Sequence, residues 1–541
     1  MRIALAQINP IIGHFAHNVQ LICQAIERAR LQKADLVLFP EMALLGYPPE
    51  DLLLFPELVG SAERALQQVV EASSHIAVVL GTIRKSHPSC EKRLHNTAAV
   101  IEDGKLLGFQ DKCLLPEYDV FYERRYFAPG TETRVWSLKG AQVAITICED
   151  IWQHVGVEET LYQLDPVVAC KTIQPDLLLN LSASPYSLGR FETRLEICQK
   201  VAGAVACPLF LCNQVGANDG LIFDGNSMVI SPKGDLMAKA SAFQEDLLVY
   251  EGEKNPISIL PPVESVKKAL VLGISDYFKK QGFSKAILGL SGGIDSAVVA
   301  ALAVEALGPD QVMVLFLPSR YSSEESRRDA YELAKRLKME IKELSIEKPW
   351  KAFGELLKPY FEGCSTDLAD ENLQVRIRCN LLMSFSNTFG HLLLSTSNKS
   401  ESAFGYTTLY GDMSGALSVI GDVTKNRVYA LAEEINRLEK IIPEAILKRE
   451  PTAELRPNQR DSDTLPPYAI VDALIEDYVE NRLSIEEIVK KRGWALKEVR
   501  KFVRSIHLNE YKRRQAPLSL RVTKKAFSAG RRVPIVQGWD L

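Results

Sequence analysis

The stretch LGLSGGIDSAVVA, Leu288–Ala300, decides how half of the chain is read. An apolar run, Ala286 to Leu290, leads into Ser291-Gly292-Gly293, and a helix-forming run follows from Ala297. Glycines between a strand and a helix suit phosphate, because backbone N–H groups and the helix N-terminus face the anion. Asp295 should repel that anion, and the lysine that grips the β- and γ-phosphates in a GxxxxGK[ST] loop is missing. The plainer reading makes Asp295 the N-cap of a helix that begins at Ser296. The functional one places Mg²⁺ between aspartate and phosphate, since the ion reverses the local electrostatics. A strand before, a helix after, and Ser291 and Asp295 both in place favour the functional one.

Outward from this loop, strand and helix alternate: SKAILGL, a helix from about Asp295, QVMVLFL, a helix over about Ser323–Leu337, then MEIKEL. That order implies parallel strands with crossover helices, a doubly wound α/β domain. From Arg2 to about Tyr250 the texture differs. RIALAQI, ADLVLFP, HIAVVLGT, NTAAVI, AQVAITIC, DLLLNLSA, PLFLCNQ and NSMVI read as strands buried on at least one face, and Asn18–Leu31 has helical spacing. Between the two regions, EGEKNPISILPPVES (Glu251–Ser265) carries charge and three prolines without periodicity and reads as a linker. The expected domains are therefore 1–255 and 256–541. Beyond about Val471 the chain is helix-like and charged, ending in the basic segment KKAFSAGRRVP.

At 541 residues, two or three domains are expected, and 46% hydrophobic with 24% charged residues matches a globular protein with ample core. A net charge of −4 argues against general nucleic-acid binding. The ten cysteines form no CxxC pairs, so reduced, buried thiols are expected, with one of them a candidate for catalysis. The N-terminal run lacks the basic-then-apolar order of a signal peptide, and no segment approaches a membrane span. A cytoplasmic enzyme is the expectation.

SGGIDS resembles the signature loop of the N-type ATP pyrophosphatases, which split ATP between the α- and β-phosphates and adenylate a carbonyl oxygen. PSRYSS (Pro318–Ser323), ENLQVRIR (Glu371–Arg378), STSNKSESAFGYTTLYGDMSG (Ser395–Gly415) and PTAELRPNQRDSDTLPPY (Pro451–Tyr468) resemble, in order, the blocks of the NAD synthetases. The resemblance implies that Gly289, Leu290, Ser291, Gly292, Gly293, Ile294, Asp295, Ser296 and Thr396 bind ATP. It implies that Asn372, Arg376, Glu401 and Lys525 face deamido-NAD, and that Asp295 and Glu401 hold Mg²⁺. Arginine and lysine are suited to its phosphates and carboxylate. Taken singly, Lys399, Arg376 and Lys525 would read as solvated surface charges. Ser397 and Cys379 stand where relatives usually have glycine.

In the first half, FPEMALLGYP places Glu41 after an apolar run, DKCLLPEYDVFYE offers Lys112, and AITICEDIW puts Cys148 at a strand end, where a nucleophile can be exposed. Singly, each reads as a buried thiol or a solvated charge. Together PEM, DKCLLP and CED resemble the Glu–Lys–Cys set of the nitrilase (carbon–nitrogen hydrolase) superfamily, which implies an α-β-β-α sandwich. Glu41 would then be the general acid–base, Lys112 the stabiliser of the tetrahedral intermediate and Cys148 the nucleophile. EYDVFYERRYFAPG, NLSASPYSLGR and NQVGANDGLIFDG extend the likeness to the glutaminase domain of glutamine-dependent NAD synthetases, with Ala217 where glycine is usual. They imply glutamine contacts at Tyr118, Ser184 and Arg190. Cys113, beside Lys112, is a rival nucleophile without the strand-to-turn setting.

The resemblance implies hydrolysis of glutamine at one site and ATP-dependent amidation of deamido-NAD at the other. A sheltered passage for ammonia and a homo-oligomer are further expectations. Adenylation of a different acid, or an amidase whose second domain only senses nucleotides, are the competing readings.

Overall fold

Ile3, Leu5, Leu36 and Leu38 pack on one side of their strands, and Ala4, Ala6 and Val37 on the other. This is the period-two signature of a sheet covered on both faces. The computed structural model describes residues 1–153, 162–463, 466–528 and 530–539. Thr464 and Leu465 of the PTAELRPNQRDSDTLPPY block, and Ala529 of the basic C-terminal segment, lie outside the described residues. The chain divides into two compact units, Met1–Leu260 and Pro261–Leu541.

In the first unit, one six-stranded sheet runs in the order Asp246–Tyr250, Ile3–Gln7, Leu36–Leu38, Ala77–Lys85, Leu94–Glu102, Lys105–Asp111. The other runs Leu236–Lys239, Met228–Ile230, Leu209–Asn213, Leu177–Ser182, Ala141–Ile147, Val135–Leu138. Both have parallel pairs in the middle and antiparallel pairs toward the edges. Ile3, Leu5, Val79 and Val100 of the first meet Val143, Ile145, Leu179 and Phe210 of the second in a shared apolar layer. Helices Phe15–Leu31 and Pro56–Ala72 cover the outer face of the first sheet, and Pro166–Ile173 and Arg190–Val205 that of the second. The result is the α-β-β-α sandwich.

All eight runs expected as strands contain one. Of the strands not expected from apolar runs, Lys105–Asp111, Val135–Leu138, Leu236–Lys239 and Asp246–Tyr250 are the edges of the two six-stranded sheets, and Val215–Asn218 and Leu221–Asp224 pair as a separate antiparallel hairpin. An edge strand is wetted on one side and needs no continuous apolar run.

The second unit is built on six strands in the order Glu340–Glu343, Val312–Phe316, Ala286–Gly289, Leu392–Ser395, Leu417–Ser418, Leu518–Ser519. Every pair in it is parallel. Ile287 packs with Trp350 and Ile377, from helices Glu347–Leu357 and Asp367–Phe389. Helices Pro262–Gln281, Ile294–Leu307 and Lys425–Ile435 pack on one another, and the second of them also lies on the strand Ala286–Gly289. The chain enters the sheet at its centre, winds outward to Glu340–Glu343, and then returns to the other side. The order thus reverses between Ala286–Gly289 and Leu392–Ser395, and in open α/β sheets the crevice beyond the carboxyl ends at such a switch is the ligand site. The glycine loop and Thr396 directly follow these two strands.

Two expectations are corrected. The linker stops earlier than Ser265, because Pro262 occupies the first turn of a helix, where its missing N–H costs nothing. The helix after the glycine loop starts at Ile294 with Gly293 as its N-cap, so Asp295 lies inside the first turn and does not cap it. Gly292 has φ +81°, and a Cβ there would lie 2.3 Å from the Ser326 carbonyl oxygen. An L-residue in this region costs ~1–2 kcal/mol before any clash. Gly292→Ala should therefore quicken amide exchange at residues 290–297 about tenfold or more in the full chain. Unchanged exchange would show that the close approach is dispensable.

Candidate active sites

Three ends of chain converge in the first unit. Glu41 lies three residues past the strand Leu36–Leu38, Lys112 directly follows the strand Lys105–Asp111, and Cys148 directly follows Ala141–Ile147. Lys112 Nζ lies 2.7 Å from Glu41 Oε1 and 2.7 Å from Glu123 Oε1, and the lysine and both carboxylates are buried. Asn96 Nδ2 donates to Glu41 Oε1 at 2.7 Å, the Ala183 N–H donates to Glu41 Oε2 at 3.0 Å, and the Tyr47 hydroxyl donates to Glu123 Oε1 at 3.0 Å. Sequence reasoning missed Glu123. It stands within EYDVFYERRYFAPG, where a carboxylate in a charged run gives no local signal.

Burial costs these charges their hydration, so each needs a partner. Burial and then Glu41 push the Cys148 thiol well above its ordinary value, against the pull of Lys112. Burial would lower the Lys112 ammonium, but Glu123 and Glu41 hold it well above the usual lysine range. Burial pushes Glu123 up to about 7, with Glu41 adding to it and Lys112 opposing. Burial thus disfavours the thiolate at Cys148, and a thiol so placed would need a base to take its proton before it could act as a nucleophile. Cys148 sits at φ +46° on a strand-to-turn corner, strain of the kind that projects a nucleophile from a sheet edge. Cys113 does not share this setting, since its Sγ lies against the carbonyls of Asp111 and Glu132.

Of the three residues matched to glutamine contacts, Tyr118 and Arg190 lie near Glu149 and each other, and Ser184 follows Ala183, whose N–H bonds Glu41. The Tyr118 hydroxyl donates to both oxygens of Glu149 at 3.0 and 2.9 Å, and the Tyr162 hydroxyl donates to Oε1 at 3.1 Å. Arg190 opens the helix Arg190–Val205, and its guanidinium stacks 3.9 Å from the Trp152 ring. Burial lowers its pKa, while Tyr118, Cys148 and Glu149 lie near enough to raise it. Ser184 is buried, and its Oγ has no hydrogen-bond partner among the described residues.

In the second unit, a cavity of about 310 Å³ is lined by residues 289–296 together with Thr396, Ser397, Glu401, Lys425 and Arg378. Ser296 Oγ accepts the Ser291 N–H at 3.3 Å and donates to the Gly293 carbonyl at 3.0 Å, folding the loop on itself. Asp295 accepts from Asn398 Nδ2 at 2.9 Å and from Lys425 Nζ at 2.6 Å. Glu401 lies 3.4 Å from the same ammonium. Burial and then Asp295 push Glu401 up to about 8, against Lys425. Burial also raises Asp461, which lines the cavity, and Asp295 adds to it. Three carboxylates around one ammonium leave an excess of negative charge. Among the described residues no set of three or more His, Cys, Asp or Glu could by itself hold a metal. Such a site fits Mg²⁺, which is ordinarily held by one or two carboxylates plus substrate phosphates. Lys425, 130 residues beyond Asp295, brings an ammonium to the loop, and no local motif announced it.

Asn372 and Arg376, one turn apart on the helix Asp367–Phe389, meet the segment at Thr408–Leu409. Asn372 Oδ1 accepts from Thr408 Oγ1 at 2.7 Å, and Arg376 Nε donates to the Leu409 carbonyl at 3.1 Å. Lys525 is buried and bonded to the Gly530 carbonyl. These three do not line the cavity, whereas Glu401 does. The plain reading of Lys399 and Lys525 as solvated charges is corrected. Lys399 Nζ is buried at 2.9 Å from Asp422 and 2.7 Å from Glu480.

Residues 2–253 match the family model for carbon–nitrogen hydrolases, and residues 266–516 the one for NAD synthases. The glutamine-dependent NAD(+) synthetase of Synechocystis sp. is 45% identical over 99% of both chains. That of Acinetobacter baylyi is 40% identical over 99% of this chain and 98% of its own. A solved structure of the glutamine-dependent NAD+ synthetase from Acinetobacter baumannii, in complex with ADP, is 37% identical with TM-score 0.79, covering 100% of this chain and 99% of that one. The Cytophaga hutchinsonii enzyme, at 21% identity and TM-score 0.85 over 99% and 98%, shares the fold. A carbon–nitrogen hydrolase unit carried with a nucleotide-cleft synthase unit defines a ligase that draws its nitrogen from an amide. The chain belongs to the glutamine-dependent NAD(+) synthetase family.

Replacing Lys112 by methionine would leave Glu41 and Glu123 buried without a cation. Breaking a buried ion pair costs ~3–5 kcal/mol. Burial holds the Glu123 carboxyl up at about 7, so this cost is largest above pH 7, where that acid is ionised, and it falls as pH drops and the acid protonates. Urea unfolding of Lys112→Met at pH 8 and pH 5.5 should show the larger deficit at pH 8. Equal deficits would mean that the lysine does not neutralise the pair.

Proposed function

We propose that the chain hydrolyses glutamine in its first unit and uses the ammonia in its second to amidate deamido-NAD, at the expense of ATP. The observation that carries the reading is the pairing, in one chain, of a buried Glu41–Lys112–Cys148 cluster with a lysine-free glycine loop that presents Asp295.

Cys148 Sγ attacks the side-chain carbonyl carbon of glutamine as Glu41 accepts the thiol proton. Lys112, pinned between two carboxylates, stays charged and faces the oxyanion of the tetrahedral intermediate. Glu41 then returns the proton to the departing nitrogen, ammonia leaves, and water cleaves the thioester to glutamate. Arg190 suits the α-carboxylate of the substrate. Tyr118 and Ser184, whose Oγ is buried and without a partner, suit its remaining polar groups.

In the second unit, the N–H groups of residues 289–296 and the N-terminus of the helix Ile294–Leu307 cradle the phosphates of ATP. Asp295 and Glu401 would hold Mg²⁺, which when bound neutralises charge on the pyrophosphate. Lys425, paired with Asp295 beside the loop, adds a fixed positive charge to the cavity. The carboxylate of deamido-NAD attacks the α-phosphorus of ATP and the bond to the β-phosphate breaks, so that pyrophosphate leaves and the carboxylate, a poor electrophile until then, is adenylated. Ammonia then displaces AMP. Asn372, Arg376 and Lys525 are assigned to the dinucleotide by resemblance. Magnesium, the cytoplasm and a homo-oligomer belong to this same reading.

With amide-labelled glutamine, ATP, Mg²⁺ and deamido-NAD, label should appear in NAD, with AMP and pyrophosphate in equal amounts. Release of ADP and phosphate would refute the reading. Cys148→Ala should abolish glutamine use and retain ammonia-driven synthesis, and loss of both in a folded variant would refute the division of labour. Lys425→Met should lower ammonia-driven kcat by ~100-fold or more if the charge acts on the transition state. A fall of less than threefold would assign Lys425 to structure alone.

A further inference from the structure

Two of the three residues at the hydrolase site stand on segments joined by one buried side chain that takes no part in the chemistry above. Asp150, two residues past the nucleophile, is 2% exposed. Its Oδ1 accepts the backbone N–H of Cys113 at 3.0 Å and of Leu114 at 2.8 Å. Its Oδ2 accepts the N–H of Ile147 at 2.9 Å. Cys113 and Leu114 directly follow Lys112, and Ile147 directly precedes Cys148. One carboxylate therefore ties the backbone that carries the ammonium to the backbone that carries the thiol.

The tie has work to do on both sides. Cys148 is held at φ +46°, a conformation that an L-residue keeps only when its surroundings impose it. The Lys112 segment leaves an edge strand, where the sheet ladder constrains the chain on one side only. Burial pushes the Asp150 carboxyl up to about 7, against the three backbone hydrogen bonds that pull it down. A carboxylate is therefore kept here at a cost that an apolar residue would avoid. An amide could replace only part of its function, since it has one acceptor oxygen for donors arriving on two sides.

We propose that Asp150 is the positioning residue that fixes the geometry between the Lys112 ammonium and the Cys148 thiol for glutamine hydrolysis. It acts through backbone and makes no contact with substrate. Truncating it relaxes the two segments independently and leaves the glutamine pocket, built by Tyr118, Ser184 and Arg190, in place. A displacement of ~1 Å at reacting groups costs on the order of 100-fold in rate.

The test uses the full chain and the variants Asp150→Asn and Asp150→Ala. Glutaminase kcat and KM are measured per nucleophile titrated with a glutamine-derived diazoketone, with ammonia-driven NAD formation as an internal control of folding. The expected result is a fall in kcat per titrated site of ~100-fold for alanine and ~10-fold for asparagine. KM for glutamine should stay within about threefold and ammonia-driven synthesis should be unchanged. A loss confined to the number of titratable sites, with full turnover at each, would make Asp150 merely structural and overturn the proposal. So would a raised KM with unchanged kcat. If the alanine variant does not fold, the asparagine variant decides alone, and unchanged kcat in it overturns the proposal. The inference rests on glutamine hydrolysis at Cys148. Absence of glutaminase activity in the parent chain would refute that reading, whereas an active parent with fully active variants would refute only the role of Asp150.

Discussion

An ammonium buried between two carboxylates is the interaction on which the first unit's chemistry depends. Lys112 lies within 2.7 Å of both Glu41 and Glu123, out of reach of water. Without the cation two carboxyl groups would face one another in a site this dry with nothing to offset their charge, and without them burial would pull the ammonium down. The triple is therefore fixed by mutual need, and Cys148 inherits a surrounding charge that it does not set. The same device recurs in the second unit, where Lys425 stands between Asp295 and Glu401. There a third carboxylate, Asp461, joins the pair, and the added negative charge would suit a site that takes a metal ion together with phosphates.

Strand-end placement is common to both sites. Glu41, Lys112 and Cys148 follow the ends of three strands, and the glycine loop and Thr396 follow two more. A sheet holds its strand ends in register through many ladder hydrogen bonds, so side chains just beyond them are placed by the whole sheet. What the ladder cannot do is join one segment to another across a gap, which is where Asp150 and Asn398 act. Asp150 spans from 147 to 113–114, and Asn398 connects its own helix cap to Asp295.

How much of this could be read from the chain follows from the range of each interaction. Central strands such as RIALAQI and DLLLNLSA are covered on both faces and show as apolar runs. Edge strands such as KLLGFQD are half-wet and show nothing. Leu417–Ser418 and Leu518–Ser519 are two residues long and exist only because a neighbouring strand offers them a partner. The start of the helix at Ile294 was displaced by two residues because Asp295, a favoured N-cap type, is engaged by Asn398 and Lys425 from over 100 residues away. Glu123 and Lys425 carry no local signal for the same reason. Each is defined by what it meets in space, and a charged residue in a polar run looks the same whether it will be solvated or buried. Family likeness supplied Glu41, Lys112, Cys148 and the glycine loop, and it missed Glu123 beside the first and Lys425 beside the second.

The first strand also has a bearing on how the protein is made. Ile3–Gln7 lies inside its sheet, flanked by Leu36–Leu38 on one side and by Asp246–Tyr250 on the other. The second partner is synthesised some 240 residues later. Until Tyr250 has left the ribosome, the first strand presents one row of unpaired N–H and C=O groups and an apolar face, the combination that invites pairing with another chain. At ~5–20 residues per second, that interval is roughly 12–50 s. During it the nascent chain is exposed to aggregation, and the strand that closes the sheet is among the last parts of the unit to appear.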